Sequence, residues 1–456
     1  MKQSILTRRA FLAAATTTMA GSAFAENKPN TAKVVPRKVS PNEKLNVAAI
    51  GAGGKGREDI FNLRRENVVA LCDPDEERAG EAFAYFEQAK KFKDYRKMLD
   101  SMDEIDAVTV TTPDHTHAPA AYTAMKLGKH VYVQKPLTHT VAEAMLLQKT
   151  AKEMGVATQM GNQGHSGNGA RQVCEMIWSG AIGEVREAHV WTNRPSWKQA
   201  IDAPLPTMEK PATLDWDLWL GTAADRDYSK GYCPFNWRGW YDFGAGALGD
   251  MACHIMDPVF WSLKLAEADG FSVELVKNEG KNDHTFPKSE LIKFQFPARG
   301  QMAPVDVYWY DGGNLPPRPA GVPDIQKVGD GEWNNRTNGS YFVGESGIIT
   351  AGEYGGKARL LPDERMADFK MPAQTIPRIE ANNHYGNWTD ACKGGAPACS
   401  NFDYSGPFTV MVLMGCVALR SGQRVEWSNK THSITNMANG AELITKPYRK
   451  GWELPV

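Results

Sequence analysis

Asp250 and His254 stand four residues apart behind the run Gly244-Ala245-Gly246-Ala247-Leu248-Gly249. On a helix that spacing puts both side chains on one face, so two proton-active groups project together. A histidine titrating near neutral pH can take the proton of a carbinol hydroxyl while hydride leaves the carbon. Lys135, in Gln134-Lys135-Pro136, offers an ammonium that polarises a developing alkoxide or carbonyl. Asp250 would orient the substrate or the base. Lys135 and His254 both suit the role of general base, and the residues alone leave that choice open. A metal centre on His115 and His117, or on Asp250, His254 and Asp257, lacks further ligands at a useful spacing. No metal is expected.

Groups of this kind need a scaffold that brings them to one crevice. The apolar run Leu45 to Ile50 enters Gly51-Ala52-Gly53-Gly54-Lys55-Gly56 ahead of a helix-compatible stretch, the strand, turn and helix order of a dinucleotide-binding unit. Gly51 would make the tight turn and Gly53 would let backbone approach a pyrophosphate. Gly56 would let helix and strand pack closely. A second strand, Val68 to Cys72, ends at Asp73, where a carboxylate suits a ribose diol and repels a 2′-phosphate, so NAD is expected over NADP. A third strand, Ala107 to Thr112, runs into Pro113-Asp114-His115-Thr116-His117. The helix Ala118 to Leu127, a fourth strand His130 to Val133, the helix Ala142 to Met154 and a fifth strand Val156 to Met160 follow. This alternation predicts an α/β fold with a doubly wound parallel sheet, whose strand ends deliver the cofactor and catalytic loops.

The glycine-rich turn, Asp73, Thr112-Pro113 with His117, Lys135-Pro136, and Asp250 with His254 occur in the order found in the Gfo/Idh/MocA oxidoreductases, which the chain resembles over roughly residues 44 to 430. The resemblance implies an N-terminal Rossmann domain joined to a C-terminal α/β domain with an open, mostly antiparallel sheet. It also implies oxidation or reduction of a sugar or cyclitol bound between the two. Gly51, Gly53, Gly54, Gly56, Asp73, Thr112, Pro113, His117, Gln134 and Lys135 become the expected cofactor contacts. Two positions depart from the family pattern: Gln134 replaces the usual Glu before Lys-Pro, and Asp114 stands where Asn is common. Losing the carboxylate at 134 removes an anion that would hold the Lys135 ammonium charged.

In the second half, six of the 13 tryptophans lie between Trp191 and Trp240, interleaved with arginines and asparagines. Aromatic faces beside hydrogen-bonding groups suit a pyranose, apolar on its C–H face and polar at its rim. Trp237, Arg238 and Tyr241, nearest the catalytic helix, are the expected substrate contacts, and His165 is a candidate for substrate or catalysis. Gly312 to Asn338 reads as a loop excursion. The segment His384 to Trp388 and the helix around Gly406 to Arg420 resemble the family's return to the first domain.

The chain has 456 residues, 42% hydrophobic and 23% charged, with a formal net charge of -1. That balance gives no sign of a nucleic-acid or membrane-surface partner, and none is expected. The domain plan is a signal peptide over 1–25, a linker over 26–43, the Rossmann domain over 44–165 and the substrate domain over 166–456. Thr7-Arg8-Arg9-Ala10-Phe11-Leu12, a short weakly apolar stretch and Ala23-Phe24-Ala25 predict export in folded form by the twin-arginine machinery to the periplasm or beyond, with no membrane span. Seven scattered cysteines give no zinc site, and Cys392 with Cys399 is the one pair considered for a disulfide. A homo-oligomer is expected.

Free NAD is scarce outside the cytoplasm, so an exported enzyme must keep its cofactor and regenerate it in place. Two cycles satisfy that: a second substrate is reduced, or the same sugar is oxidised, altered and reduced again. The latter would make a redox-neutral NAD-dependent glycosidase working through a transient 3-keto sugar, with His165 or Tyr241 removing the acidified C–H proton. The chain lacks a motif associated with the N-acetylgalactosaminidase branch, which ranks oxidoreductase ahead of glycosidase. A non-catalytic sugar-binding protein is the third reading, and Lys135, Asp250 and His254 together speak against it.

Overall fold

The computed structural model describes residues 34–202, 205–334 and 336–456. The twin-arginine segment, its cleavage pattern and the first part of the linker, residues 26–33, lie outside the described residues.

The first sheet is assembled from β1 (Asn46–Ile50), β2 (Asn67–Cys72), β3 (Lys90–Phe92), β4 (Ala107–Val110), β5 (His130–Val133) and β6 (Thr158–Met160). Its order is β3-β2-β1-β4-β5-β6 and every pairing is parallel. Helices cover both faces, so β4 and β5 are buried throughout and read as nearly continuous apolar runs, broken only by Thr109 and His130. The sequence reading missed β3. It is a three-residue edge strand, Lys-Lys-Phe, and charge on a short edge strand erases the apolar signal while protecting the edge. The helix Val141–Met154 is bounded by a Thr140/Glu143 capping box and by left-handed Gly155.

The second sheet follows as β7 (Val185–Trp191), β8 (Gly270–Glu279), β9 (Ser289–Phe296), β10 (Val305–Tyr310), β11 (Gly339–Gly344), β12 (Gly347–Ala351), β13 (Arg359–Leu361), β14 (Val425–Ser428) and β15 (Ser433–Ile434). Its order is β13-β12-β11-β7-β10-β9-β8-β14-β15, antiparallel except where β7 meets β10. The α/β architecture with a second, mostly antiparallel sheet is therefore as expected.

Two late segments join the halves. Tyr385, Trp388 and Cys392, from the helix His384–Cys392, share a core with Val47, Ala49 and Leu71 of the first sheet. The helix Phe402–Ser421 packs against Val141–Met154 of the first domain and against Gly246–Ile255 and β8 of the second. Among the described residues it is the one helix long and apolar enough to cross a membrane, and most of it is buried here inside the protein.

All seven cysteines are free. Cys392 is buried against the first sheet, while the Cys399 thiol meets Ser166 Oγ at 3.2 Å, so the considered Cys392–Cys399 pair does not form.

Candidate active site

A cleft of about 840 Å³ runs between the domains, from Pro74 and Tyr95 at one end, over the glycine turn, to Lys135, Asp250 and His254 at the other. The turn is bare backbone by necessity. Gly51 has φ +83°, and a Cβ there would lie 2.4 Å from the Thr111 carbonyl oxygen. A Cβ on Gly56 would fall 1.9 Å from the oxygen of Gly51, so the helix Lys55–Asn62 could not start so close to β1. Asp73 holds this turn rather than standing open. Its Oδ2 accepts the backbone N–H groups of Ala52 and Gly53 at 2.9 and 3.0 Å, and its Oδ1 accepts that of Asp75 at 3.0 Å. Burial raises its carboxyl from the usual range, against those hydrogen bonds.

At the opposite end Lys135 Nζ donates to Asp250 Oδ1 and to the Asp250 carbonyl, each at 2.8 Å. Arg238 Nε donates to the same Oδ1 at 3.2 Å. Burial alone would raise the Asp250 carboxyl, but Lys135 and Arg238 outweigh it and hold it well below the carboxylate range. His254 follows one turn along the helix Gly246–Ile255, as the spacing predicted. Burial, reinforced by Lys135, pushes its imidazole well below the usual value and so keeps it neutral. Its Nδ1 is buried with no hydrogen-bond partner among the described residues, and its ring meets Tyr354 edge-on at 5.0 Å. Asp114 accepts the Ala245 N–H at 3.1 Å. Its carboxyl is raised to about 7 by burial and the Asp250 charge, with Arg238 and Lys135 opposing.

Thr112 and Pro113 line the cleft. His117 does so only by its edge, because its ring nitrogens sit 2.9 Å from the Pro136 carbonyl and 2.8 Å from that of Thr112. It ties the two catalytic loops together and leaves neither nitrogen for a ligand. Burial lowers its imidazole to about 4.

The Gln134 departure has a structural answer. Its Nε2 donates to Asp59 at 2.9 Å, and this fully buried carboxylate also accepts from Tyr385 and Thr111 at 2.7 and 2.8 Å. The anion absent from position 134 stands at 59, and a Glu at 134 would place two buried carboxylates side by side. Sequence reading passed over Asp59, although its place between Gly56 and Ile60 on the buried face of its helix was a usable signal.

Of the expected substrate contacts, Trp237 and Arg238 line the cleft and His165 and Tyr241 do not. The Arg238 guanidinium lies 4.2 Å from the Trp237 ring centroid and 4.8 Å from that of Phe235, a cup of the kind the tryptophan-rich segment suggested. His165 is sealed in the core: Nδ1 meets both Asp257 oxygens at 3.0 and 2.9 Å, and the ring stacks on Trp261 at 4.3 Å. Tyr241 packs its ring on Phe286, and its buried hydroxyl faces no ligand space. Both sit close to the site in sequence, but the chain turns them to the far side of their own elements. Arg194, Glu353 and Tyr354, from the second-sheet loops, line the cleft without having been foreseen.

Two family models match the chain: "Oxidoreductase family, NAD-binding Rossmann fold" over residues 45–162 and "Oxidoreductase family, C-terminal alpha/beta domain" over residues 171–297. Together they take in more than half of it. The chain belongs to the Gfo/Idh/MocA oxidoreductase family. Among curated relatives of this family member, an alpha-N-acetylgalactosaminidase of Shewanella oneidensis is 30% identical over 171 residues, 35% of this chain and 37% of the relative's length. A redox-neutral glycosidase is the second of the sequence readings, made there without the motif associated with this branch. Among solved structures, the WlbA dehydrogenase of Bordetella pertussis, in complex with NADH and UDP-GlcNAcA, superimposes with a TM-score of 0.58 at 16% identity, covering 84% of this chain and 98% of that one. An aldose-aldose oxidoreductase of Caulobacter crescentus, complexed with glycerol, gives 0.52 at 16% identity over 84% and 100%. These likenesses establish the shared fold.

Proposed function

We propose that this family member is an NAD-dependent oxidoreductase acting on a CH–OH group of a sugar or polyol, with its dinucleotide kept bound from one turnover to the next. One juxtaposition carries the reading. The Lys135 ammonium, fixed on Asp250 at 2.8 Å, and the neutral imidazole of His254 share a cleft with a bare glycine turn, where a Cβ on Gly51 would collide with the Thr111 carbonyl.

The residues present fit a dinucleotide. The Gly51 to Gly56 backbone would hold the pyrophosphate at the N-terminus of Lys55–Asn62. Asp73 keeps that turn in place, and Thr112, Pro113 and Lys135 would flank the nicotinamide end. When bound, NAD supplies the hydride acceptor. The chain's own groups manage the proton and the charge. His254, neutral at physiological pH, accepts the hydroxyl proton, and Lys135 stabilises negative charge on the carbinol oxygen from a direction that Asp250 fixes. Arg238 in its aromatic cup presents flat apolar rings to a sugar face. Denaturing purified protein and assaying released NAD(H) by absorbance and mass tests the reading. Protein that neither carries nor binds either redox form overturns it.

A redox-neutral glycosidase is favoured as second reading by the similarity to the alpha-N-acetylgalactosaminidase. His165 and Tyr241 lie outside the cleft, so the C–H proton would pass to His254 or Tyr354. Nitrophenol release from a nitrophenyl glycoside without added cofactor would favour this reading, and no release across several sugars would favour simple redox. Export in folded form by the twin-arginine route remains part of the proposal. Replacing Arg8 and Arg9 by Lys is expected to trap the enzyme in the cytoplasm, and undiminished export would refute that part.

A further inference from the structure

The cleft has two unlike ends, and the second is closed by parts of the chain that no dinucleotide-binding motif includes. In the order β3-β2-β1-β4, the loops after β2 and β3 lie on one side of the glycine turn, opposite the Lys135 end. A dinucleotide whose pyrophosphate sits on that turn must therefore send its adenosine toward Pro74 and Tyr95.

Two segments roof this end. Residues 213–215 are stitched to the loop after β2: Asp215 N donates to the Pro74 carbonyl at 2.8 Å and Glu76 N to that of Thr213 at 3.3 Å. The same stretch continues into Leu218 and Trp219, which line the cleft. The strap 444–452 crosses over it from the first domain. Ala142 N donates to the Ile444 carbonyl at 2.9 Å, and half-buried Lys446 reaches Glu143 Oε1 and the His115 carbonyl, each at 3.2 Å. Arg449 then clamps the roof, donating to Asp217 Oδ1 at 2.6 Å, Asp225 Oδ1 at 2.8 Å and the Gly221 carbonyl at 2.9 Å. Beyond it, Trp452 turns inward to line the cleft, with the Arg96 guanidinium 4.1 Å from its ring centroid and Tyr95 at 6.2 Å.

We infer that Trp452 is an adenosine-contacting wall of the dinucleotide site, and that the Arg449 clamp fastens it there so that the cofactor leaves slowly. The chemistry is that of a purine: a flat, weakly polar ring against an indole already braced on its other contacts, in a crevice lined also by Leu218 and Pro74, with Arg78 and Asp94 at hand for polar atoms. Release of the adenosine end would require the strap to part from 217–225, which breaks several charge-assisted hydrogen bonds at once. The inference rests on the dinucleotide reading above and adds to it where retention is built.

The test measures NADH dissociation from full-length protein by fluorescence after dilution into excess NAD, for wild type, Trp452→Ala, Trp452→Phe and Arg449→Ala. Loss of one stacked base contact predicts release about tenfold faster for Trp452→Ala. Trp452→Phe is expected to restore slow release, which a merely structural role for the indole would not predict. Arg449→Ala should accelerate release with Trp452 still present. If Arg449→Ala does not fold, the two Trp452 variants still decide the matter. Wild-type and Trp452→Ala protein that bind NADH and release it at the same rate would overturn this inference and leave the dinucleotide reading standing. Wild type that binds no NADH would overturn both.

Discussion

Two histidine and aspartate pairs take their aspartates from consecutive helices, Asp250 from Gly246–Ile255 and Asp257 from Asp257–Ser262, and only one pair faces the cleft. His254 sits beside Lys135 and Asp250, lines the cleft and keeps an unpartnered Nδ1. His165 spends Nδ1 on both oxygens of Asp257, which also accepts the Tyr404 hydroxyl at 2.6 Å, and aromatic rings cover its face. The residue types are the same. What separates them is place: His254 lines the cleft beside Lys135, whereas the His165 nitrogen is matched inside the core and is mortar.

The contrast can be broken experimentally. His254→Ala should lower kcat/KM by about 10³-fold, and Lys135→Ala by about 10²- to 10³-fold, with bound NAD(H) retained in both. Full activity in either variant would mean that the cleft is misassigned. His165→Ala should act in the opposite currency. Leaving Asp257 buried without its partner is expected to cost about 3–5 kcal/mol of stability, seen as a lowered Tm, while kcat/KM at 25 °C stays within about threefold, far short of the effect of losing a catalytic acid or base. A loss of kcat/KM comparable to that of His254→Ala would move His165 back into the site.

The smallest effect sharpens the picture from the acid side. The Asp114 carboxyl is raised to about 7 in the folded protein, above its unfolded value, so the folded state holds the extra proton. Stability is therefore expected to fall as pH rises from the unfolded value through about 7, and the penalty is complete above that. Asp114→Asn should remove the penalty: its Tm should exceed that of wild type at pH 8, and the two should converge at pH 4. The variant should also lose an inflection near pH 7 in kcat/KM. His254, already neutral there, contributes no inflection in that range, and an unchanged profile in Asp114→Asn would detach Asp114 from the site.

Much of this was legible because the constraints are local. Gly51 is required by a turn at φ +83° and Gly56 by its contact with Gly51, and Asp250 with His254 share one helical turn, so spacing alone reports them. Lys135 emerges because Pro136 marks the end of a buried strand. What escaped depends on distant packing. Whether His165 or Tyr241 faces the cleft is decided by other elements of the chain, as the contacts to Asp257 and Phe286 show. Gln134 looked like a loss until Asp59 and Tyr385, brought together from two helices on one face of the sheet, explained it. β3 escaped for the opposite reason: two lysines on three residues leave no pattern to read.

The late helices add a consequence for assembly. Tyr385 and Trp388 finish one face of the first sheet, and Phe402–Ser421 props a helix on its other face. The nucleotide-binding half is thus not a unit that can mature while the rest is still being synthesised. Its interior stays open to solvent until residue 421 has left the ribosome, so a nascent chain halted earlier would present an unfinished sheet to chaperones and proteases.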